Sequence, residues 1–413
     1  MKIYDIAVIG AGPAGAMAAI RAAQLGKRVI LIERNDAIGR KLLLTGKGRC
    51  NITNSAPLDT FVEKFGRQGN FLRSAFFKFF NEDLTAFFRA KGLEMKTERQ
   101  GRVFPVTDDS RAIVKVLDEY LSGAGVEMRY NSRVKKLHKR EDLFRIELES
   151  GSEVEAARVI MATGGSSYKA TGSAGDGFHI AEHLGHTIAK LKPGLVPLKT
   201  EEHWVKGLQG LALENIRLTF ECGRKKIVSD IGELMFTHFG VSGPLVLDLS
   251  GDIVDLLEQH DKVGLLIDLK PGLTAEQLDR RLLNEFKDSG TKSVKNIFKA
   301  LLPLRLIDAV IEMAGVDHSK RGSQISQEER RRLVRALKGL RLTVTGALAL
   351  EEAMVTGGGV SARQIDPRTM ESKVVPGLYF AGEVIEGCAA SGGYNLQQAF
   401  STGHLAGESA AHA

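Results

Sequence analysis

A short apolar run, Ile6–Ile9, breaks at a glycine-rich turn, gives way to an alanine-rich stretch over Pro13–Leu25, and returns as a second apolar run, Val29–Ile32. Continuous apolar runs bounded by glycine predict strands buried on both faces, and the stretch between them predicts the helix that connects them. Helical patterning near Phe71–Lys91 and Arg111–Gly123 continues the alternation, followed by a strand pair near Arg133–Leu137 and Phe144–Leu148. A β-branched strand, Arg158–Ala162, then runs into Thr163, Gly164 and Gly165.

The texture changes after Pro193. Short strands near Val196–Thr200, Asn215–Glu221, Lys225–Asp230 and Val263–Asp268 predict a β domain. Inside it, Thr274–Lys338 repeats apolar residues at helical spacing, as in Leu278, Leu282, Leu283 and Phe286 and again in Leu333, Leu337 and Leu340, which predicts a helical insertion. From Thr356 the strand–loop–helix character returns, with Gly377–Glu383 ending a strand and Asn395–Gly407 starting a helix. The expected layout is α/β. A discontinuous dinucleotide domain covers 1–190 and 356–413, an inserted β domain covers 191–272 and 339–355, and the helical insertion covers 273–338.

The turn after the first strand reads GAGPAG, Gly10–Gly15, and its position between strand and helix distinguishes a dinucleotide fingerprint from a chance match. Gly10 permits the tight turn, Gly12 lets the backbone approach a pyrophosphate, and Gly15 lets helix and strand pack closely. The helix N-terminus offers free N–H groups and a positive dipole end to the phosphates. Glu33 closes the second strand, where a carboxylate accepts ribose hydroxyls and repels a 2′-phosphate. The extended shape of a flavin dinucleotide calls for a C-terminal strand–loop–helix, and the chain supplies one, so the layout favours FAD over NAD. Gly382 and Glu383 are expected to meet the ribityl chain and pyrophosphate, and the last helix to aim its dipole at the flavin N1–C2=O edge. Cofactor contacts are expected from Gly10, Ala11, Gly12, Pro13, Ala14, Gly15, Glu33, Arg34, Arg40, Lys41, Gly46, Gly48, Arg49, Cys50, Asn51, Val134, Ala162, Thr163, Gly164, Gly165, Gly382, Glu383, Asn395 and Leu396. Tyr394 is expected to pack on the flavin ring. No second GxGxxG follows a strand, so NAD(P)H is expected only as a transient visitor, if the flavin is not reduced by the substrate itself.

Lys47 and Arg49 are the candidate catalytic cations, placed to stabilise anionic flavin or an anionic substrate, or else to pair with FAD phosphate or nearby carboxylates. Cys50 reads as a small buried packing residue. Cys50, Cys222 and Cys388 form no CxxC pair and no zinc spacing, which argues against disulfide exchange and a structural metal. His179, His183 and His186 fall at helical spacing without a further ligand type, so no metal is expected; His238 reads as a core histidine, and Asp176 as a helix N-cap.

Hydrophobic content of 43% and charged content of 26% place the chain among ordinary globular proteins. No apolar run reaches the roughly 18 residues of a membrane span, so a cytoplasmic protein is expected. The net charge of +7 suits an anionic ligand and falls short of a nucleic-acid footprint unless it clusters. It clusters once, in Glu328–Lys338, which reads as a solvated helix face. The oligomeric state is not legible.

Four strings, Gly39–Asn54, Ala162–Ile188, Gly232–Ser250 and Val355–Glu383, together resemble a family of bacterial NAD(P)/FAD-dependent oxidoreductases that includes aminoacetone oxidase and bile-acid dehydrogenase/reductase flavoproteins. The resemblance implies a glutathione-reductase-like Rossmann FAD domain, an inserted β-barrel domain and a smaller helical one. The stretch Val384–Ser391 departs from the family's usual acidic residues and Gly-aromatic step, so no relative's substrate carries over. The expected function is FAD-dependent hydride transfer between flavin N5 and a small organic substrate or NAD(P)H. The rivals are a flavin-dependent RNA-modifying enzyme and a non-enzymatic flavin-binding sensor or scaffold.

Overall fold

Ile3–Ile9 and Val29–Ile32 pair in parallel, Ile6 against Val29, in the computed structural model, which describes residues 2–413. Their apolar residues from Ile6 to Ile9 and from Val29 to Ile32 are all buried, as expected for strands covered on both faces. The seven-stranded sheet runs Glu127–Arg129, Val29–Ile32, Ile3–Ile9, Glu153–Met161, Leu143–Leu148, Val134–Arg140. Glu153–Met161 pairs antiparallel with Leu143–Leu148 along its first half, and its last residues pair in parallel with Leu378–Phe380. The strand that brings the C-terminal segment back therefore enters the sheet beside the ATGG turn.

Two helices cover the opening strands. Pro13–Gln24 starts on a proline whose fixed φ suits the first turn. Tyr394–His412 lies against it so closely that a Cβ on Gly403 would stand 2.3 Å from Ala14 O, and one on Gly407 would stand 2.4 Å from Ala18 O. Arg21 and Lys78 both pair with Glu408 at 2.5 Å, tying the closing helix to two other helices. This first unit comprises the residues up to Gly194 together with Ala349–Ala413.

The stretch near Phe71–Lys91, expected as one helical region, is two helices, Gly69–Lys78 and Asn81–Arg89. The backbone is extended at Phe79 and Phe80 between them. Asp83 accepts from the Phe80 N–H at 2.8 Å and so starts a new helix. Asn81 Nδ2 anchors that start to the carbonyls of Asn54 and Ala56.

Within the closing helix, His404 stacks on Phe79 at 4.6 Å, and burial, followed by the charge of Arg21, pushes its pKa down to about 4. An unfolded histidine titrates near 6.5, so stability is full above about pH 6.5. It falls as pH drops toward 4, by up to about 3 kcal/mol, because only the unfolded chain takes the proton. His404→Phe is expected to flatten that limb. Urea unfolding at neutral and mildly acidic pH checks it, and an equal loss in both proteins would show that His404 is not the titrating group.

The second unit, Leu195–Leu348, is built on a closed barrel of six strands in the order Leu198–Thr200, Gly240–Ser242, Lys225–Phe236, Ala212–Cys222, Val263–Asp268, Leu340–Ala347. Every neighbouring pair is antiparallel, and closure leaves no free edge. Two of these strands outrun their expected lengths, because register shifts near Leu213–Ile216 and Arg217–Thr219 break the alternation that marks a strand. The helix Pro244–Leu257 buries Leu245, Val246, Ile253 and Leu256. Helices Ala275–Asp288, Val294–Phe298, Leu304–Met313 and Gln327–Lys338 follow. Capping boxes at Thr274/Gln277 and Ser326/Glu329 start the first and last of these. Among the described residues no helix is long and apolar enough to cross a membrane.

Candidate cofactor site

Gly10 leaves the first strand at φ +99, and a Cβ there would stand 2.5 Å from Ala162 O. A Cβ on Gly15 would meet Gly10 O at 1.8 Å. Helix, turn and the ATGG strand end therefore close on one another without room for a methyl group. A Cβ on Gly12 would meet nothing within 4 Å. The finger is packed from behind at Gly10 and Gly15 and open in front at Gly12, at the N-terminus of the helix that begins at Pro13. This cradle suits a pyrophosphate.

Glu33 is buried, and its carboxylate is already shared. Oε2 accepts from the Ala11 N–H at 2.7 Å, and Oε1 accepts from the Asn35 N–H and Nδ2, both at 2.8 Å. Acceptor capacity remains on Oε2 for a ribose hydroxyl. The chain leading to Val134 runs alongside, with Ser132 N–H on Glu33 O and Asn131 N–H on Asn35 O. Arg34 pairs with Asp176 at 3.0 Å, and Arg133 with the same carboxylate at 2.7 Å. Burial alone would raise the Asp176 pKa, but the two guanidiniums hold it below the usual carboxylate range. Asp176 is therefore not the expected N-cap: Gly175 holds that position, and the Asp176 side chain is drawn to the arginines instead. Arg40 is exposed and pairs with Asp36.

Behind the ATGG turn, a polar ring joins Lys41, Ser167, Thr356 and Glu383. Lys41 Nζ donates to Glu383 Oε1 and Oε2 at 2.9 and 2.7 Å and to Ser167 Oγ at 2.8 Å. Glu383 Oε1 also accepts from the Thr356 N–H at 2.8 Å, and Thr356 Oγ1 accepts from the Ser166 N–H at 2.8 Å. A Cβ on Gly165 would strike Thr356 Oγ1 and Glu383 Oε1, at 2.3 and 2.6 Å. Ala162 donates its N–H to Ile9 O, while the hydroxyl of Thr163 is buried with no partner among the described residues. Ser167, Thr356 and Asn35 were not expected in the site. The signal for Asn35 and Ser167 was a polar residue shortly after a predicted strand end; Thr356 carried none.

The loop Gly46–Asn51 is folded tightly, with Gly46, Lys47, Gly48 and Cys50 all at positive φ. Arg49 donates to Asp108 at 2.8 Å and to Glu98 at 2.5 Å, and its guanidinium lies over Phe104 at 4.2 Å. Arg49 thus serves the loop's own architecture. Lys47 is exposed and carries no ion pair among the described residues. Cys50 is fully buried, and burial pushes its thiol up to about 12, so it is no nucleophile near neutral pH. Burial, then the charge of Glu383, likewise pushes Cys388 up to about 11. Asn51 Oδ1 is buried without a partner among the described residues.

The last helix begins against the short strand Thr53–Asn54 that follows this loop, with Asn54 Nδ2 donating to Gly392 O at 3.0 Å. The Asn395 side chain clasps the preceding loop, accepting from the Ala389 N–H at 2.8 Å and donating to Ala389 O at 2.9 Å. Its backbone alone is left for a ligand, and Leu396 packs on the first unit's core. Tyr394 sits in an aromatic cluster, edge-on to Phe61 at 4.7 Å. His186 is buried on Ala181 O and Ser372, whereas His179 and His183 are exposed, and no metal cluster forms among the described residues. His238, expected in a core, is exposed in the turn before Gly240, edge-on to Phe239.

The open face of the finger and the unpartnered oxygens of Thr163 and Asn51 fit FAD on an observed cradle. Fold and cradle define a Rossmann-type, FAD-dependent oxidoreductase. The description of the HI0933-like protein Rossmann domain matches residues 4–409, and the chain belongs to that family. It is 31% identical over 408 residues to the 3-dehydro-bile acid delta(4,6)-reductase of Clostridium scindens, covering 98% of each chain. It is also 31% identical over 412 residues to the ribosomal RNA dihydrouridine synthase of Escherichia coli, covering 97% of this chain and 96% of that one. A 3-ketosteroid delta1-dehydrogenase from Sterolibacterium denitrificans shares the fold at 14% identity with a TM-score of 0.54, over 100% of both chains.

Proposed function

We propose that this enzyme reduces a carbon–carbon double bond conjugated to a carbonyl in a small organic molecule, with NAD(P)H as the reductant that restores the flavin. One observation carries the reading. The two full-length relatives are named for different substrates, yet a 3-oxo-delta(4,6) steroid and a uracil ring present the same group, a C=C bond conjugated to C=O. Bound FAD would supply the hydride chemistry. The chain's part is to hold the pyrophosphate on the Gly10–Gly15 finger, the ribose on Glu33, and the ring's surroundings on the Gly46–Asn51 and Gly387–Asn395 segments. Addition of hydride to the β-carbon leaves negative charge on the carbonyl oxygen, a cation favours that state, and a proton taken up from solvent at the α-carbon completes the reduction. Lys47 is the residue we assign to it, because Arg49 is spent on Glu98 and Asp108.

A second reading keeps the chemistry and changes the carrier: the conjugated ring is a uracil within RNA. The Escherichia coli relative's name favours it. Anaerobic stopped-flow mixing of the photoreduced holoenzyme with enones, dienones and uridine-containing transcripts separates the two. Flavin reoxidation by small enones is the expected result, and reoxidation by transcripts alone selects the RNA reading. No reoxidation by any conjugated carbonyl would overturn the proposal. Lys47→Met is expected to slow the reaction by about ten- to a thousandfold, as loss of one oxyanion-stabilising group does elsewhere, with flavin content unchanged.

A further inference from the structure

The turn after the barrel strand Val263–Asp268 is pinned from two sides. The Leu269 N–H donates to Leu337 O, and the Lys270 N–H to Asp268 Oδ1, both at 2.9 Å. Lys338 Nζ reaches the carbonyls of Lys270 and Leu273 at 3.1 and 2.8 Å and pairs with Asp268 at 2.6 Å. On the neighbouring helix, Asp279 is held by Arg330 through bonds of 2.8 and 2.9 Å. Asp268 and Asp279 are therefore occupied.

Two cations are left over. Lys270 and Arg281 line one concavity of about 340 Å³, and neither side chain has a hydrogen-bond or ion-pair partner among the described residues. Burial, then the charge of Arg281, holds the Lys270 pKa below the usual lysine value. Lys270 is half-buried and Arg281 exposed, and like charges facing one concavity repel unless an anion joins them. Asn215 forms another wall, carried there at φ 55 by the bulge that shifts register between Leu213 and Ile216. Glu214 also borders the concavity, as an exposed carboxylate.

We propose that this concavity binds a phosphate group through Lys270, Arg281 and Asn215. Arginine offers a planar fork to two phosphate oxygens, lysine a point charge, and asparagine a neutral N–H donor. The volume lies at the lower end of the roughly 300–1,000 Å³ of small-ligand sites, with room for the phosphate and part of its carrier. The carrier is either a soluble nucleotide or a polynucleotide backbone. The site stands independently of which double bond the enzyme reduces, since none of its residues belongs to the cofactor cradle.

Lysine acylation with acetic anhydride, read residue by residue by mass spectrometry on the FAD-loaded full chain, tests it. Lys270 is expected to react in the ligand-free protein. Inorganic phosphate at constant ionic strength, at about ten times its dissociation constant, should slow that reaction about tenfold by mass action while leaving the exposed Lys225 unchanged. Arg281→Gln should abolish the protection. ADP and a short single-stranded RNA, compared at equal phosphate concentration, identify the carrier: stronger protection by ADP supports a soluble nucleotide, and stronger protection by RNA supports a polynucleotide. Absence of protection in every arm, equal protection of Lys225, or a Lys270 already unreactive without ligand would each overturn the assignment.

Discussion

Gly15→Ala is expected to purify colourless and to unfold at a lower temperature than the parent protein. The new Cβ would lie 1.8 Å from Gly10 O, a backbone atom that no side-chain rotation can move. Either the helix Pro13–Gln24 retreats from the sheet or the finger opens, and overpacking of this kind costs typically 1–3 kcal/mol, about the upper end of which applies where backbone meets backbone. Gly12→Ala is the informative contrast. Its Cβ would meet no protein atom within 4 Å, and the backbone there, at φ −74, suits any residue. The ligand-free Gly12→Ala protein should therefore melt with the parent, while its flavin-to-protein absorbance ratio falls sharply because the methyl group occupies the phosphate's space. A Gly12→Ala protein that keeps its flavin would place the pyrophosphate elsewhere.

The second large effect is expected at the Lys41–Glu383 pair. Both side chains are 21% exposed, so neither is well served by water. Lys41→Met leaves the Glu383 carboxylate with only the Thr356 N–H and the Ser167 hydroxyl, at 2.8 and 3.2 Å. Removing one partner of a buried pair costs about 3–5 kcal/mol, and partial exposure brings the expectation here to about 2 kcal/mol. Glu383→Gln, which keeps the shape and drops the charge, strands Lys41 to a similar degree. The double variant Lys41→Met/Glu383→Gln should recover much of the loss, a coupling within the roughly 0.5–3 kcal/mol seen for residues in contact. Urea unfolding of the ligand-free proteins and fluorescence titration with FAD measure the two consequences separately. Simple additivity of the two single changes would show that the ring is not a cooperative unit.

Much of this arrangement was readable before any coordinates. The finger is local: strand, turn and helix are contiguous from Ile6 to Leu25, and the glycine spacing carries its own geometric reason. Helices of the insertion were legible because their apolar residues repeat at helical spacing and their starts carry capping pairs such as Thr274/Gln277. The helix Pro244–Leu257 was not, since a dense apolar run such as Leu245–Leu249 has no period by which to tell helix from strand. The break at Phe79–Phe80 lay hidden in the same way, inside a continuous aromatic stretch. At the site, glycines and Glu33 announced themselves, but the polar ring did not. Lys41, Ser167, Thr356 and Glu383 come from four separated segments, and only the folded chain shows that Lys41 faces a carboxylate while Arg49 is consumed by Glu98 and Asp108. Asp176 misleads for a related reason: residue type suggests a cap, whereas Arg34 and Arg133, which decide the matter, are remote in sequence.

The intimate seat of Gly403 and Gly407 on Ala14 and Ala18 bears on how the polypeptide matures. A nascent chain emerging from the ribosome presents its nucleotide-gripping turn well before the partner surface for that helix, which follows about 20–80 s later at ordinary elongation rates. Until then an alanine-lined surface stands bare, and the intervening barrel, all of whose strands lie between Leu198 and Ala347, is free to form ahead of it. Flavin capture is thereby deferred until the helix Tyr394–His412 has emerged.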